Sequence, residues 1–356
     1  MRRILVVCLM LLTAQAFALD LPPWMPGGLI TQVTDLPFQG VDGTTVLSDL
    51  NDYKDLVGNR SFGNFGGFLL KRSNGVTYLG CPGANPYSTT AQAVSNKAEV
   101  VGSCSFPDNT TRGYLYGGGD PKRPYILIQF GGSRHVEAHG VNDHRHVVGG
   151  YVPPNSVWHR GFWWSNGSWS TLDAPWAGRK ATIAHAITNN QKITGIWIDS
   201  ADNTRGFIRT NGSTYAMLDV PGARWTVPLD INEAGQVIGW YRGWDDSVGA
   251  FLYTNGQWYT VMVTEPNVTF THIEGLNNHT HLAGRLRIWQ PGATEEFVSK
   301  GLVLLPSPEL QAEAPPAQVA SRALMSVAAA EASTVPVYIP DWPKDYRPGK
   351  GKPLPW

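Results

Sequence analysis

The chain has 356 residues, 42% of them hydrophobic, with 39 Gly, 26 Pro and 14 Trp, enough apolar mass for a large core and many of the residues that punctuate short strands. Lys plus Arg balances Asp plus Glu at 28 each, so no net field draws a polyanion or an anionic membrane, and nucleic-acid binding is excluded as a leading reading.

In chain order, Met1, Arg2 and Arg3 precede an apolar run over 4–12 and then Ala16-Phe17-Ala18, the order of a secretory signal cleaved after Ala18. The apolar run is too short for a membrane anchor and no longer one follows, so the expected location is secreted or periplasmic, with no integral membrane segment. Cleavage removes Cys8 and leaves Cys81 and Cys104, which an oxidising compartment should pair. Residues 19–28 read as an N-terminal segment.

From residue 29 to 304 one pattern recurs. An Asn-bearing turn is followed six or seven residues later by a glycine, from Asn51 to Gly58, Asn96 to Gly102, Asn142 to Gly149, Asn189 to Gly195, Asn232 to Gly239 and Asn277 to Gly284. These glycines are 44, 47, 46, 44 and 45 residues apart. A period in the forties with about four short strands per period predicts an all-β, six-bladed β-propeller of four-stranded blades. A second hairpin follows in each unit, from Gly67-Phe68, Gly113-Tyr114, Gly161-Phe162, Gly206-Phe207, Ala250-Phe251 and Glu296-Phe297. Its turn is Asn74-Gly75, Asn166-Gly167, Asn211-Gly212 or Asn255-Gly256, the type I′ dipeptide; Gly117 to Gly119 stand in for it in unit two and Lys300-Gly301 in unit six. Segments near residue 30 and residue 302 both fit the outermost strand, and one of them should latch the last blade to the first. Beyond that, residues 305–356 hold ten of the 26 prolines and an Ala-rich run, and read as a Pro/Ala-rich C-terminal tail, partly helical or disordered, that can dock on a partner.

The units resemble those of bacterial extracellular proteins with HAF repeats. The triplet appears here as Arg-Gly-Phe at 160–162 and 205–207, Arg-Gly-Tyr at 112–114 and Gly-Ala-Phe at 249–251. The Ile-Asn-x-x-Gly-x-Val-x-Gly pattern at 231–239 and the Pro-Gly-Ala turn at 221–223 carry the rest of the likeness. The resemblance implies a repeat fold and no particular activity, so it brings no catalytic residues with it.

Chemistry is sought where the copies differ. The loops expected on one propeller face carry Trp158, Trp176, Trp225 and Trp244, whose indoles would suit sugar rings, against the simpler role of wedges between blades. The same loops hold Asp108, Asp199, Asp202, Asp245 and Asp246, which serve either paired-carboxylate chemistry or their own turns. His139, His185 and Glu274 each stand ten residues before a blade glycine, beside Ser48, Gln92 and Leu229 at the equivalent places. Residues at equivalent places can face one axis, and two His with a Glu would suit a transition metal such as Zn or Fe, where a strand histidine is otherwise a core residue.

No HExxH, P-loop, GxSxG or CxxC motif occurs. The first reading is therefore a secreted binding or interaction module with a glycan or protein ligand on the loop face. The alternative is a secreted polysaccharide lyase or hydrolase acting at that face or in the axial channel, and the third is a structural component of an exported assembly.

Overall fold

The computed structural model describes residues 32–34, 45–60, 66–71, 75–117, 124–176, 178–210, 214–261, 268–289 and 297–305. The signal segment, residues 19–28, Asn211-Gly212 and the tail beyond 305 lie outside the described residues. Among those described there are 24 strands and no helix, hence none long and apolar enough to cross a membrane.

After the short β1 (Gln32–Thr34), unit 1 comprises β2 (Thr45–Leu50), β3 (Leu56–Arg60), β4 (Gly66–Lys71) and β5 (Gly75–Tyr78). Unit 2 comprises β6 (Thr90–Val94), β7 (Val100–Ser105), β8 (Thr111–Tyr116) and β9 (Tyr125–Ile128). Unit 3 holds β10 (His135–Val141), β11 (His146–Val152), β12 (Arg160–Ser165) and β13 (Ser168–Leu172), and unit 4 holds β14 (Ala181–Ile187), β15 (Ile193–Ile198), β16 (Thr204–Thr210) and β17 (Thr214–Met217). Unit 5 is β18 (Trp225–Ile231), β19 (Val237–Arg242), β20 (Val248–Thr254) and β21 (Gln257–Val261). Unit 6 is β22 (Val268–Leu276), β23 (Leu282–Trp289) and β24 (Phe297–Leu305), completed by β1. Every unit is a four-stranded antiparallel sheet, and one parallel bridge, His135 to Thr111, joins units 2 and 3.

Both terminal segments enter unit 6. Leu302 pairs with Gly284 inside the third strand, while Gln32, Val33 and Thr34 form the outer strand against β24. Lys300-Gly301 therefore lies within a continuous strand and makes no hairpin turn, because β24 has to run on to meet β1. Asn166-Gly167 and Asn255-Gly256 do adopt positive φ at both residues, as type I′ turns require.

The turns between the first and second strands of the six units meet in one hydrogen-bonded ring. The backbone N–H of Asp52 donates to the side-chain oxygen of Asn96 (2.9 Å), Asn96 to Asp143 (2.7 Å) and Asp143 to Asn189 (2.9 Å). Asn189 donates to Glu233 (2.5 Å), Glu233 to Asn278 (2.9 Å), and Asn278 returns to Asp52 (2.8 Å). Acid and amide alternate around this ring, so Asn96 Nδ2 donates to both Asp52 and Asp143, its two neighbours. One residue earlier, Asn51, Asn142, Asn232 and Asn277 cap their own turns and donate Nδ2 to the carbonyl of the next unit's turn. Ser95 and Thr188 occupy that place in units 2 and 4 and also cap, but lack the amide that would reach onward. The uneven spacing of six or seven residues follows: the Asn read from units 2 and 4 belongs to the ring, not to the cap.

Each first strand carries a β-bulge, at Ser48, Gln92, His139, His185, Leu229 and Glu274. Just before the bulge the strand presses onto the repeat glycine opposite. A Cβ at Gly149 would lie 1.9 Å from the Glu137 carbonyl oxygen and 2.8 Å from the Phe162 ring, which is why that place tolerates no side chain.

Two carboxylates sit one residue past the bulges, in the solvent-open depression that the six turns surround. Asp49 accepts from Leu50 N and from Val94 N of the next unit; Asp230 accepts from Ile231 N and from Leu276 N of the next. Desolvation pushes the Asp230 carboxyl up to about 7, and desolvation together with the charge of Asp230 raises Asp49 well above the ordinary range.

Cys81 and Cys104 form the expected disulfide, with Cα atoms 6.3 Å apart, pinning the segment after β5 of unit 1 to β7 of unit 2. Both half-cystines are buried in the core that these units share.

Two stability measurements follow from this architecture. Replacing both cysteines by serine should lower the unfolding free energy by about 3 kcal/mol, read from urea midpoints, and an unchanged midpoint would contradict a bridge that restrains the unfolded chain. Asp230 binds its proton more tightly folded than unfolded, so its contribution is present below about pH 4 and is lost as pH rises through about 7. Burial holds His159, His185 and His281 down at about 4, and their contribution runs the opposite way over the same range. The difference between Asp230→Asn and the native chain cancels the histidines and reports on the Asp49–Asp230 pair, since removing the Asp230 charge also lowers Asp49. The variant should gain relative stability from pH 4 to pH 7 at a slope approaching about 1.4 kcal/mol per unit, and a pH-independent difference would refute the assignment.

Candidate functional site

Because the first-to-second turns of all six units meet at one end, the starts of the first strands and the turns between second and third strands share the other end. That face and the space between the first strands hold the histidines, indoles and loop carboxylates singled out for chemistry.

His139 and His185, bulge residues of adjacent units, come together with ring centroids 5.5 Å apart. His185 is buried and its Nδ1 lies 2.6 Å from the Pro228 carbonyl oxygen. A carbonyl only accepts, so Nδ1 carries the proton and Nε2 of the neutral ring is left as a lone pair. Burial first, then the neighbouring His139, lowers His185 to about 4. Glu274 is drawn to its own strand: His272 Nδ1 lies 2.5 Å from its Oε1. Burial would raise Glu274, but the charge and hydrogen bond of His272, with Arg285 and His185, hold it below its usual range.

The side chains whose donor atoms converge are a different set, on β10 and in the turn between β11 and β12. His135 Nε2 is 3.0 Å from Glu137 Oε1, and His159 meets the His135 ring edge-on at 5.5 Å. The second Glu137 oxygen lies 3.6 Å from His139 Nε2, which links this cluster to the bulge histidines. Burial opposes the charge on Glu137, yet its bonds to His135 and His139 outweigh it and keep the carboxyl ionised well below the usual range. Burial also opposes protonation of His135, and the bond to Glu137 reverses the balance upward. The readable signal was His135 and Glu137 two apart on β10, since alternate strand residues share a face; His139 joins them from the bulge, and His159 arrives from the turn between β11 and β12, 20 residues beyond His139.

The four indoles separate. Trp176 stacks on Trp197 at 4.9 Å and 29° and packs against the core of unit 4, as a wedge does. Trp158 is half-buried with Lys180 Nζ 5.7 Å from its ring. The guanidinium groups of Arg224 and Arg242 both lie over the Trp225 ring, at 5.2 and 5.0 Å, and Arg224 also faces Trp244 at 5.8 Å. Trp244 is 69% exposed. Arg224 and Arg242 were missed in the sequence because cation–π partners have no spacing of their own.

The loop carboxylates serve their turns. Asp108 accepts from Thr110 N, Asp199 from Ala201 N and Asn203 N, and Asp245 from Ser247 N, while Asp202 and Asp246 pair with Lys180 and Arg242.

No protein-family model matches the chain, and no curated protein sequence matches it. Among solved structures it is similar to an Aleuria aurantia lectin mutant bound to Fucα1-6GlcNAc, at 12% identity and TM-score 0.43 over 74% of this chain and 97% of that one. It is similar to the Xanthomonas campestris gluconolactonase XC5397, at 12% identity and TM-score 0.44 over 80% and 98%. A third similar structure is AofleA from Arthrobotrys oligospora, at 10% identity and TM-score 0.43 over 80% and 97%. Likeness at this level decides neither ligand nor reaction.

Proposed function

We propose that the chain is a secreted six-bladed β-propeller of the HAF-repeat kind that binds glycan or cell-surface carbohydrate through the face bearing Trp225 and Trp244. Six four-stranded units in cyclic hydrogen-bonded order support the architecture. The disulfide suits an oxidising compartment, and the signal-like first 18 residues give a route to it.

The observation that carries the ligand class is the ladder Arg242, Trp225, Arg224, Trp244, ending in an indole 69% exposed. A guanidinium over the ring fixes its plane before any ligand arrives, so little side-chain freedom is lost on binding. The flat apolar face suits the C–H side of a pyranose, and the flanking Arg N–H groups suit its hydroxyls. Deep burial is not needed for such contact, which fits a shallow, solvent-facing site.

An immobilised glycan panel that includes α-L-fucosides, followed by calorimetry on the best glycan, tests the reading. Trp244→Ala should weaken binding about tenfold, near 1.4 kcal/mol, without moving the thermal midpoint, because the side chain is exposed. A panel with no binding, or a Trp244→Ala protein that binds as the native chain does, would remove the proposal.

A further inference from the structure

Among the described residues, His135, Glu137 and His159 are the set of three metal-ligating side chains whose donor atoms all lie within 4.8 Å of one another. We propose that these three residues of unit 3 bind one divalent transition-metal ion, of the zinc or ferrous class, where unit 3 borders unit 4.

Four features of the chain favour an ion there. Two imidazoles and one carboxylate are the donor set that borderline divalent metals prefer, and three protein ligands leave a coordination position for water or a ligand. Metal–ligand bonds of about 2.0–2.2 Å place neighbouring donors roughly 3–3.5 Å apart, so the observed spread closes by small side-chain rotations. His159 Nε2 is shut off from solvent without a hydrogen-bond partner, a cost that coordination would remove. The site also carries the charge of one carboxylate, whose ion-pair partners are His135 and His139.

The ligands are held in place from behind. His135 and Glu137 belong to β10, paired along its length with β11. The His159 carbonyl accepts from Thr182 N of the next unit at 3.1 Å, and Ser156 Oγ bridges the turn to Trp158 O at 3.2 Å. His139, 3.6 Å from the outer oxygen of Glu137, is placed to orient the carboxylate as an outer-shell partner orients a ligand. The set expected from the sequence, His139, His185 and Glu274, contributes this supporting residue, while Glu274 stays with His272.

The site lies apart from the Trp225 and Trp244 ladder, in unit 3 instead of unit 5, so either assignment can fail without the other. The full chain, stripped with chelator, is titrated with Zn²⁺ by calorimetry and with Co²⁺ by visible absorption. One equivalent should bind, with affinity reduced at least about tenfold in His159→Ala and Glu137→Gln and unchanged in His185→Ala and His279→Ala. Circular dichroism checks folding. Should His159→Ala unfold, His135→Asn, at a side chain one quarter exposed, must show the same loss. Absence of stoichiometric binding to the native chain overturns the proposal, as does loss in His185→Ala with retention in His159→Ala.

Discussion

The return bond from Asn278 to Asp52, 226 residues back along the chain, is the constraint on which the remaining structure depends. Six units of modest size cannot each bury two sheet faces alone; each needs a neighbour on either side. The cyclic order supplies those neighbours only if the sixth unit finds the first. The alternation of Asp52, Asn96, Asp143, Asn189, Glu233 and Asn278 gives every backbone N–H an oxygen from the next unit. Acids and amides in turn also avoid placing two carboxylates side by side, which would cost repulsion at close range. β1 against β24 adds a backbone closure to this side-chain one.

The bulge does the second share of the work. Inserting one residue in each first strand breaks the two-residue alternation at the place where neighbouring first strands approach. Six positions are thereby freed from the packing demands that fix the faces of the sheets. Ser48, Gln92, His139, His185, Leu229 and Glu274 differ in chemistry because no common contact selects them, whereas the glycines opposite are uniform because a carbonyl 1.9 to 2.2 Å from any Cβ leaves no choice.

That contrast explains what could be read from the sequence. The period, the four strands per unit, the Asn166-Gly167 and Asn255-Gly256 turns and the Cys81–Cys104 bridge are local or repeated, and they were legible. The pairing of His139 with His185 was legible too, because equivalent places in adjacent copies must be neighbours. Lys300-Gly301 looked like a turn since a Gly in a strand and a Gly in a hairpin share one letter, and only the partner strand β1 distinguishes them. Trp176 and Trp244 were indistinguishable as loop indoles; the difference is Trp197, which offers one of them a stacking partner from a neighbouring strand. His159 joined no pattern at all, because it meets Glu137 through the fold and not through the repeat.

The two ends of the molecule therefore divide the tasks of holding and of varying. At the turn end every unit contributes to one ring, and a change in any copy would disturb two neighbours. At the opposite end no such ring exists among the described residues. Among the described residues, His135, Glu137 and His159 concentrate in unit 3 and the guanidinium–indole ladder in unit 5, and neither set recurs residue for residue in another copy. Closure at one end thus releases the other from symmetry. A repeat that is locked by a continuous hydrogen-bonded circle can afford side chains at its far mouth that contribute little to folding, and buried charge such as Glu137 is tolerated there because its histidine partners are set on strands the ring has already fixed.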